Sequence, residues 1–206
     1  MSQMALPLAW PADPRDDAFL VTPSNAHAVY LLEHWGTWPV RAAMLTGPRR
    51  SGRSLLARIF AAKSGGTIID DAERVDETDL FHAWNNAQAD GRPLVIVADA
   101  PPPIWSITLP DLRSRLAASP HVAIGPPDDA LTRALLDRMF ERRVIDARPD
   151  LLDWLVPRIE RSHLAMERVV DALDQETSER HRRLTIPLAR TTLTDAGLLP
   201  IRTEDA

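Results

Sequence analysis

Cysteine is absent from all 206 residues. That excludes disulfide frameworks and thiolate chemistry, and it fits a reducing compartment. Glycine is scarce, with 8 residues against 18 prolines. Many of the prolines (Pro11, Pro14, Pro101 to Pro103, Pro126-Pro127) punctuate the chain between elements. No apolar run approaches the roughly 20 residues that a bilayer span requires. The first residues lack the basic start and long apolar core of a signal peptide, so a cytoplasmic protein with no membrane partner is expected. Positive charge is not in excess either: 24 Lys and Arg face 29 Asp and Glu, a formal net charge of −5. Proteins that coat DNA usually carry the opposite balance, and contact with DNA is expected to be weak or made through a partner. The six histidines show no metal-ligand spacing, which argues against a zinc site.

What is present is an ordinary globular composition, 45% hydrophobic and 26% charged. Residues 1–18 read as an extended leader. Ser24-Asn25 can cap a helix over 26–35, and an apolar strand over 42–46 runs into a glycine-bounded loop at Gly47 to Gly52, with a helix opening at Arg53. Residues 67–69 read as a second buried strand, followed by a helix over 77–89, a strand over 94–98 and a short strand over 121–124. Continuously apolar strands separated by helices predict a parallel sheet covered on both faces. Beyond Pro126-Pro127 the pattern is helical, over 128–142, 149–158, 162–181 and 186–192. The expected organisation is a leader (1–18), an α/β nucleotide-binding domain (19–126) and a small all-helical domain (127–206).

The strongest local signal is Gly47-Pro48-Arg49-Arg50-Ser51-Gly52-Arg53-Ser54, with the G-x-x-x-x-G-[KR]-[ST] spacing of a phosphate-binding loop between a strand and a helix. Glycines let the backbone curl so that its N–H groups and the helix N-terminus face a polyphosphate, and Ser54 stands where a hydroxyl reaches Mg²⁺. Arg53 replaces the usual lysine, and a planar guanidinium does not substitute simply for a compact ammonium. The alternative is a basic turn. Asp70-Asp71, after the second strand, can hold a hydrated Mg²⁺ and orient a water; in isolation such a pair is a turn or a cap. Asp99 either lies beside the same site or is a turn residue before Ala100-Pro101. Arg113-Ser114-Arg115, on a short helix, is either solvated surface or a source of an arginine that enters a neighbour's site. In the leader, Gln3-Met4-Ala5-Leu6-Pro7-Leu8 suits recognition as an extended peptide, with Leu6 and Leu8 filling an apolar pocket and Pro7 lowering the ordering entropy.

In order and number, these pieces resemble the Hda family of DnaA-related AAA+ proteins, the regulatory inactivators of the replication initiator DnaA, over most of the chain. The resemblance implies an AAA+ parallel-sheet domain followed by a helical lid. It implies that Gln3, Met4, Leu6, Pro7 and Leu8 bind the DNA-polymerase sliding clamp, and that Phe19-Leu20-Val21 lines an adenine pocket. Gly47 to Ser54 with Leu55 would hold the nucleotide, joined by Asp99 at sensor I. Asp70 and Asp71 correspond to the Walker B acids, with Ser54 and Asp70 on Mg²⁺. Leu109 to Leu116 matches the box whose arginine finger falls on Arg115, and Arg183 to Leu188 the closing lid segment. The implied activity is stimulation of ATP hydrolysis in DnaA, with ADP preferred over ATP as bound nucleotide and little or no hydrolysis in cis. A homodimer is one assembly this allows. Because the chain ends soon after the lid segment, no DNA-binding helix-turn-helix is expected. The sequence departs from the family pattern in two places. Only residues 61–69 separate the loop helix from Asp70, which leaves the sheet one strand short, and Leu164 stands where sensor II carries arginine, with Arg161 one turn earlier as a substitute. A self-sufficient ATPase and a nucleotide-free adaptor are the competing readings.

Overall fold

The computed structural model describes residues 19–180 and 183–199. Two five-residue strands, β1 (Ala42–Thr46) and β3 (Leu94–Ala98), are buried along their whole length. They pair in parallel from Ala42↔Leu94 to Thr46↔Ala98. β2 (Thr67–Ile69) flanks β3 and β4 (His121–Ala123) flanks β1, giving a four-stranded parallel sheet in the order β2-β3-β1-β4. Among the described residues the sheet has these four strands, in keeping with the short 61–69 connection.

Alternation along the central strands divides the core in two. Ala43, Leu45, Val95 and Val97 meet Ala28 and Leu32 of α1 (Ala26–Glu33) and Leu56 and Phe60 of α2 (Arg53–Ser64). Ala42, Met44, Leu94 and Ile96 meet Leu80 of α3 (Glu77–Asp90) and Leu112 and Leu116 of α4 (Pro110–Ala118) on the opposite face. Both faces are covered, so the two inner strands are apolar at every position but Thr46, whose buried hydroxyl is paired with His121 Nε2 at 2.7 Å. β2 departs from expectation. It is an edge strand with Thr67 exposed and its isoleucines half-buried, and its three-residue length limits the unpaired edge it presents.

Other departures have local causes. Asn25 precedes α1 but does not cap it. Its side chain accepts from the Thr22 N–H at 2.9 Å and donates to the Leu20 carbonyl at 2.8 Å, pinning the entering segment instead. α1 ends at Glu33, and Trp35–Thr37 forms a 3₁₀ turn closed by the Trp38 indole N–H on the Leu31 carbonyl at 2.9 Å.

After residue 126, α5 (Asp129–Arg142), α6 (Pro149–Leu155), α7 (His163–Arg180) and α8 (Ile186–Asp195) surround a separate core that includes Leu136, Phe140, Leu151, Leu155, Met166 and Leu173. Prolines sit in the first turn of α6 and α8, where the missing N–H costs nothing. α6 stops earlier than its pattern predicts because Pro157 cannot donate the next helical bond. No described helix is long and apolar enough to cross a membrane.

Asp128 joins the two parts. It caps α5 by accepting from the Leu131 N–H at 2.8 Å, and its other oxygen accepts from the Ser24 N–H at 3.1 Å. Asp128→Ala should destabilise the protein by about 1 kcal/mol in urea unfolding, while Asp128→Asn retains most of the cap.

Candidate functional site

The loop leaving β1 begins at Gly47 (φ +156°), where a Cβ would lie 2.8 Å from the Ile124 carbonyl oxygen, so no side chain fits. Pro48 accepts from the Ser51 N–H at 3.1 Å, and Arg50 adopts φ +66° to complete the curl. Gly52 (φ +88°) brings the backbone against the Phe19 ring, 3.0 Å from where its Cβ would stand. α2 starts at the next residue. The buried Ser51 hydroxyl has no hydrogen-bond partner within the chain. Ser54 and Leu55 follow in the first turn of α2, both half-buried.

Arg53 turns inward and is only 4% exposed. Its guanidinium donates to the carbonyls of Gly47 and Ala98, the latter at 2.9 Å, and pairs with Asp99 and, at 3.3 Å, with Asp71. A cation this deep requires acceptors on its donors, and four groups from the ends of three strands supply them. Arg49 also reaches Asp99, at 3.4 Å. Arg50 pairs with Glu167 of α7, so the third loop cation is met by the helical part. Hydrogen bonding from Arg53 holds the Asp99 carboxyl below the usual carboxylate range. Burial opposes this shift, and the Arg53 and Arg49 charges assist it.

The expected acids separate. Asp71 sits in a left-handed turn (φ +49°) facing Arg53, whereas Asp70 is exposed and accepts from the Asp71 N–H at 3.0 Å. The carboxylates that converge are Asp71, Glu73 and Asp99, whose oxygens lie within 4.8 Å of one another. This set suits a hard divalent cation, but two of its members also hold Arg53, so cation and guanidinium would compete for them. Glu73 was missed in the sequence. The D-x-E spacing at 71–73 was its only local signal, and the tight turn after β2 is what aims it.

The remaining site residues are scattered. Phe19 packs on the loop, and Val21 is 56% exposed; both line a groove of about 440 Å³ with Leu32, Leu56 and Phe60. Leu164, at the position expected for sensor II, is 46% exposed. Arg161 is engaged with Asp129 at 2.6 Å, within the helical part. His163, at the start of α7, is held toward its neutral form by burial first, then by the Arg50 and Arg142 charges. Arg115 lies apart from this cluster on α4, its guanidinium over the rings of Phe81 and Trp84. Gln3, Met4, Leu6, Pro7 and Leu8 fall outside the described residues.

Residues 128–193 match the model of the Hda lid domain. An uncharacterized protein of Haemophilus influenzae is 28% identical over 59% of this chain and 55% of its own length. The chromosomal replication initiator protein DnaA of Cutibacterium acnes is 27% identical over 62% of this chain and 27% of its own. The chain thus spans about half of the first relative and a quarter of the second. Domain III of DnaA from Thermotoga maritima superimposes with a TM-score of 0.71 over 90% of this chain and 98% of that one, at 16% identity. AMPPCP-bound DnaA from Aquifex aeolicus gives 0.59 over 82% and 69%, also at 16% identity.

The parallel sheet, the strand–loop–helix cradle and the helices that follow are the fold of an AAA+ protein. Within that class, residues 128–193 are similar to the lid of the Hda type, and much of the chain is similar to the replication initiator DnaA.

Because the Asp99 pKa is depressed, its ion pair should persist from neutral pH to below the ordinary carboxylate value of about 3.9 and be lost only as pH falls through the folded-state value. Following the Asp99 carboxyl carbon by NMR should show this depressed titration, shifted upward by Arg49→Ala. An ordinary titration in the unmodified protein would rule the pairing out.

Proposed function

We propose that this protein restrains the start of chromosome replication: it sits on the DNA-polymerase sliding clamp and stimulates ATP hydrolysis by DnaA. The observation that carries the reading is the match of residues 128–193 to the Hda lid on a DnaA-like AAA+ fold. Gln3, Met4, Leu6, Pro7 and Leu8 bind the clamp. Arg115 enters the site of DnaA, where a guanidinium stabilises charge on the transferring phosphoryl group. DNA contributes only through the clamp and DnaA.

In this reading the chain's own cradle, with Phe19, Val21, Gly47 to Leu55, Asp99 and Arg161, holds an adenine nucleotide. Support comes from the unpartnered Ser51 hydroxyl and from the half-exposed guanidinium groups of Arg49 and Arg50. Glu167 and Asp99, already paired to the loop arginines, oppose further phosphate charge, which favours ADP over ATP. Ser54 with Asp70 and Asp71 would hold Mg²⁺, which supplies charge neutralisation at the phosphates; the convergence of Asp71, Glu73 and Asp99 supports a carboxylate set that includes Glu73. Arg53 in place of lysine and Leu164 in place of the sensor arginine weigh against turnover in cis.

A second reading has a specific observation behind it. Arg53 finds all its partners within the chain, as in an adaptor that kept the fold and dispenses with nucleotide. Equilibrium titration with ADP and ATP separates the two readings. Under the nucleotide-binding reading, Glu167→Gln should raise ADP affinity by about threefold, the scale of an exposed ion pair.

For the regulatory role, Gln3→Ala or Leu6→Ala should abolish capture by the clamp. Arg115→Ala should leave capture intact and reduce stimulated hydrolysis by about a thousandfold. An intact protein that leaves the hydrolysis rate of DnaA on loaded clamps unchanged would remove this reading.

A further inference from the structure

Arg115 differs in its surroundings from the arginines of the loop. Arg49, Arg50 and Arg53 are each neutralised by a carboxylate of the same chain. Among the described residues no acid pairs with Arg115, and its Nη1 is buried without a hydrogen-bond acceptor. What holds it is aromatic. The guanidinium carbon lies 4.1 Å from the centre of the Phe81 ring and 5.1 Å from that of Trp84. Phe81 and Trp84 are three residues apart on α3, so their rings stand side by side on one helix face.

The shelf is braced. The Trp84 indole N–H donates to the Ser119 hydroxyl at 3.1 Å, and that hydroxyl donates to the Arg115 carbonyl at 2.9 Å. Ser119 is only 6% exposed, so ring, hydroxyl and arginine backbone form one short chain of bonds. At the other end of α4, the Glu77 carboxylate accepts from the N–H groups of Thr108 and Leu109, each at 2.8 Å at the nearer oxygen. These bonds fix α4 against α3, and with it the arginine against the rings.

We propose that Phe81 and Trp84 are positioning residues for Arg115. They hold its guanidinium as an ordered, unneutralised cation for the phosphoryl oxygens of a nucleotide bound by the partner. An exposed arginine loses substantial side-chain entropy when it docks, and a salt-bridged one must first lose its acid. An arginine resting on ring faces does neither, because the aromatic contact orients the charge without supplying a counter-ion. This role rests on the regulatory reading above, in which Arg115 acts on ATP held by DnaA.

The test measures stimulated ATP hydrolysis by ATP-loaded DnaA on DNA-loaded clamps. Phe81→Leu, which keeps apolar bulk and removes the ring, should lower the maximal rate by about fivefold with the half-saturating concentration almost unchanged, and Phe81→Tyr should restore it. In an Arg115→Ala background, Phe81→Leu should change nothing further. In the isolated protein, the Arg115 side-chain protons should show an upfield ring-current shift that Phe81→Leu removes and Phe81→Tyr keeps. Full stimulation by Phe81→Leu, or an equal fractional loss in the Arg115→Ala background, overturns the positioning role alone. No stimulation by the unmodified protein overturns the regulatory reading and the positioning role with it.

Discussion

The buried guanidinium of Arg53 is the interaction around which the site is organised. The parallel strands β1 and β3 deliver the carbonyls of Gly47 and Ala98 close together at their ends, and Arg53 satisfies both. The same group gathers Asp71 and Asp99. A planar fork with several donors can serve four acceptors at once, which a lysine ammonium with three donors cannot. The turn after β2, the end of β3 and the loop before α2 are therefore cross-linked by one side chain. An anion entering the cradle has to share or displace the carboxylates that Arg53 gathers.

Charge is distributed to opposite effect in two places. Around the loop every arginine has an acid, including Glu167 contributed by α7, and the sensor II position presents an apolar leucine to solvent. On α4, Arg115 has no acid and is held by aromatic faces. The loop satisfies its own charge, while Arg115, apart from it on α4, has no acid partner among the described residues. The proposed aromatic shelf follows from this contrast.

Much of the architecture was legible in the chain. The spans of β1, β2 and β3 and the start of α2 agree with the pattern reading because strands covered on both faces are apolar at nearly every position and glycine stands at 52, where the backbone turns left into α2. Burial of β2 was overestimated, since three apolar-rich residues read alike at the edge of a sheet and at its centre. The Asn25 cap was misplaced for a related reason: its amide found partners in the incoming segment, a competition that helix-capping preference does not register.

Local chemistry, then, was set by residues adjacent in the chain: strand, loop, helix start, the capping aspartate at 128, the prolines that open α6 and α8. Which groups face each other was decided only by the tertiary structure. Arg53 and Ala98 are 45 positions apart, and Arg50 and Glu167 are 117 apart. Their meeting depends on the order β2-β3-β1-β4 and on how α7 lies over the loop, neither of which leaves a periodic trace. The same holds for Glu73 beside Asp99 and for Arg115 on its two rings. Side-chain periodicity encodes which face is apolar, whereas the pairing of charges is a property of surfaces that exist only once the sheet has formed and the lid has packed.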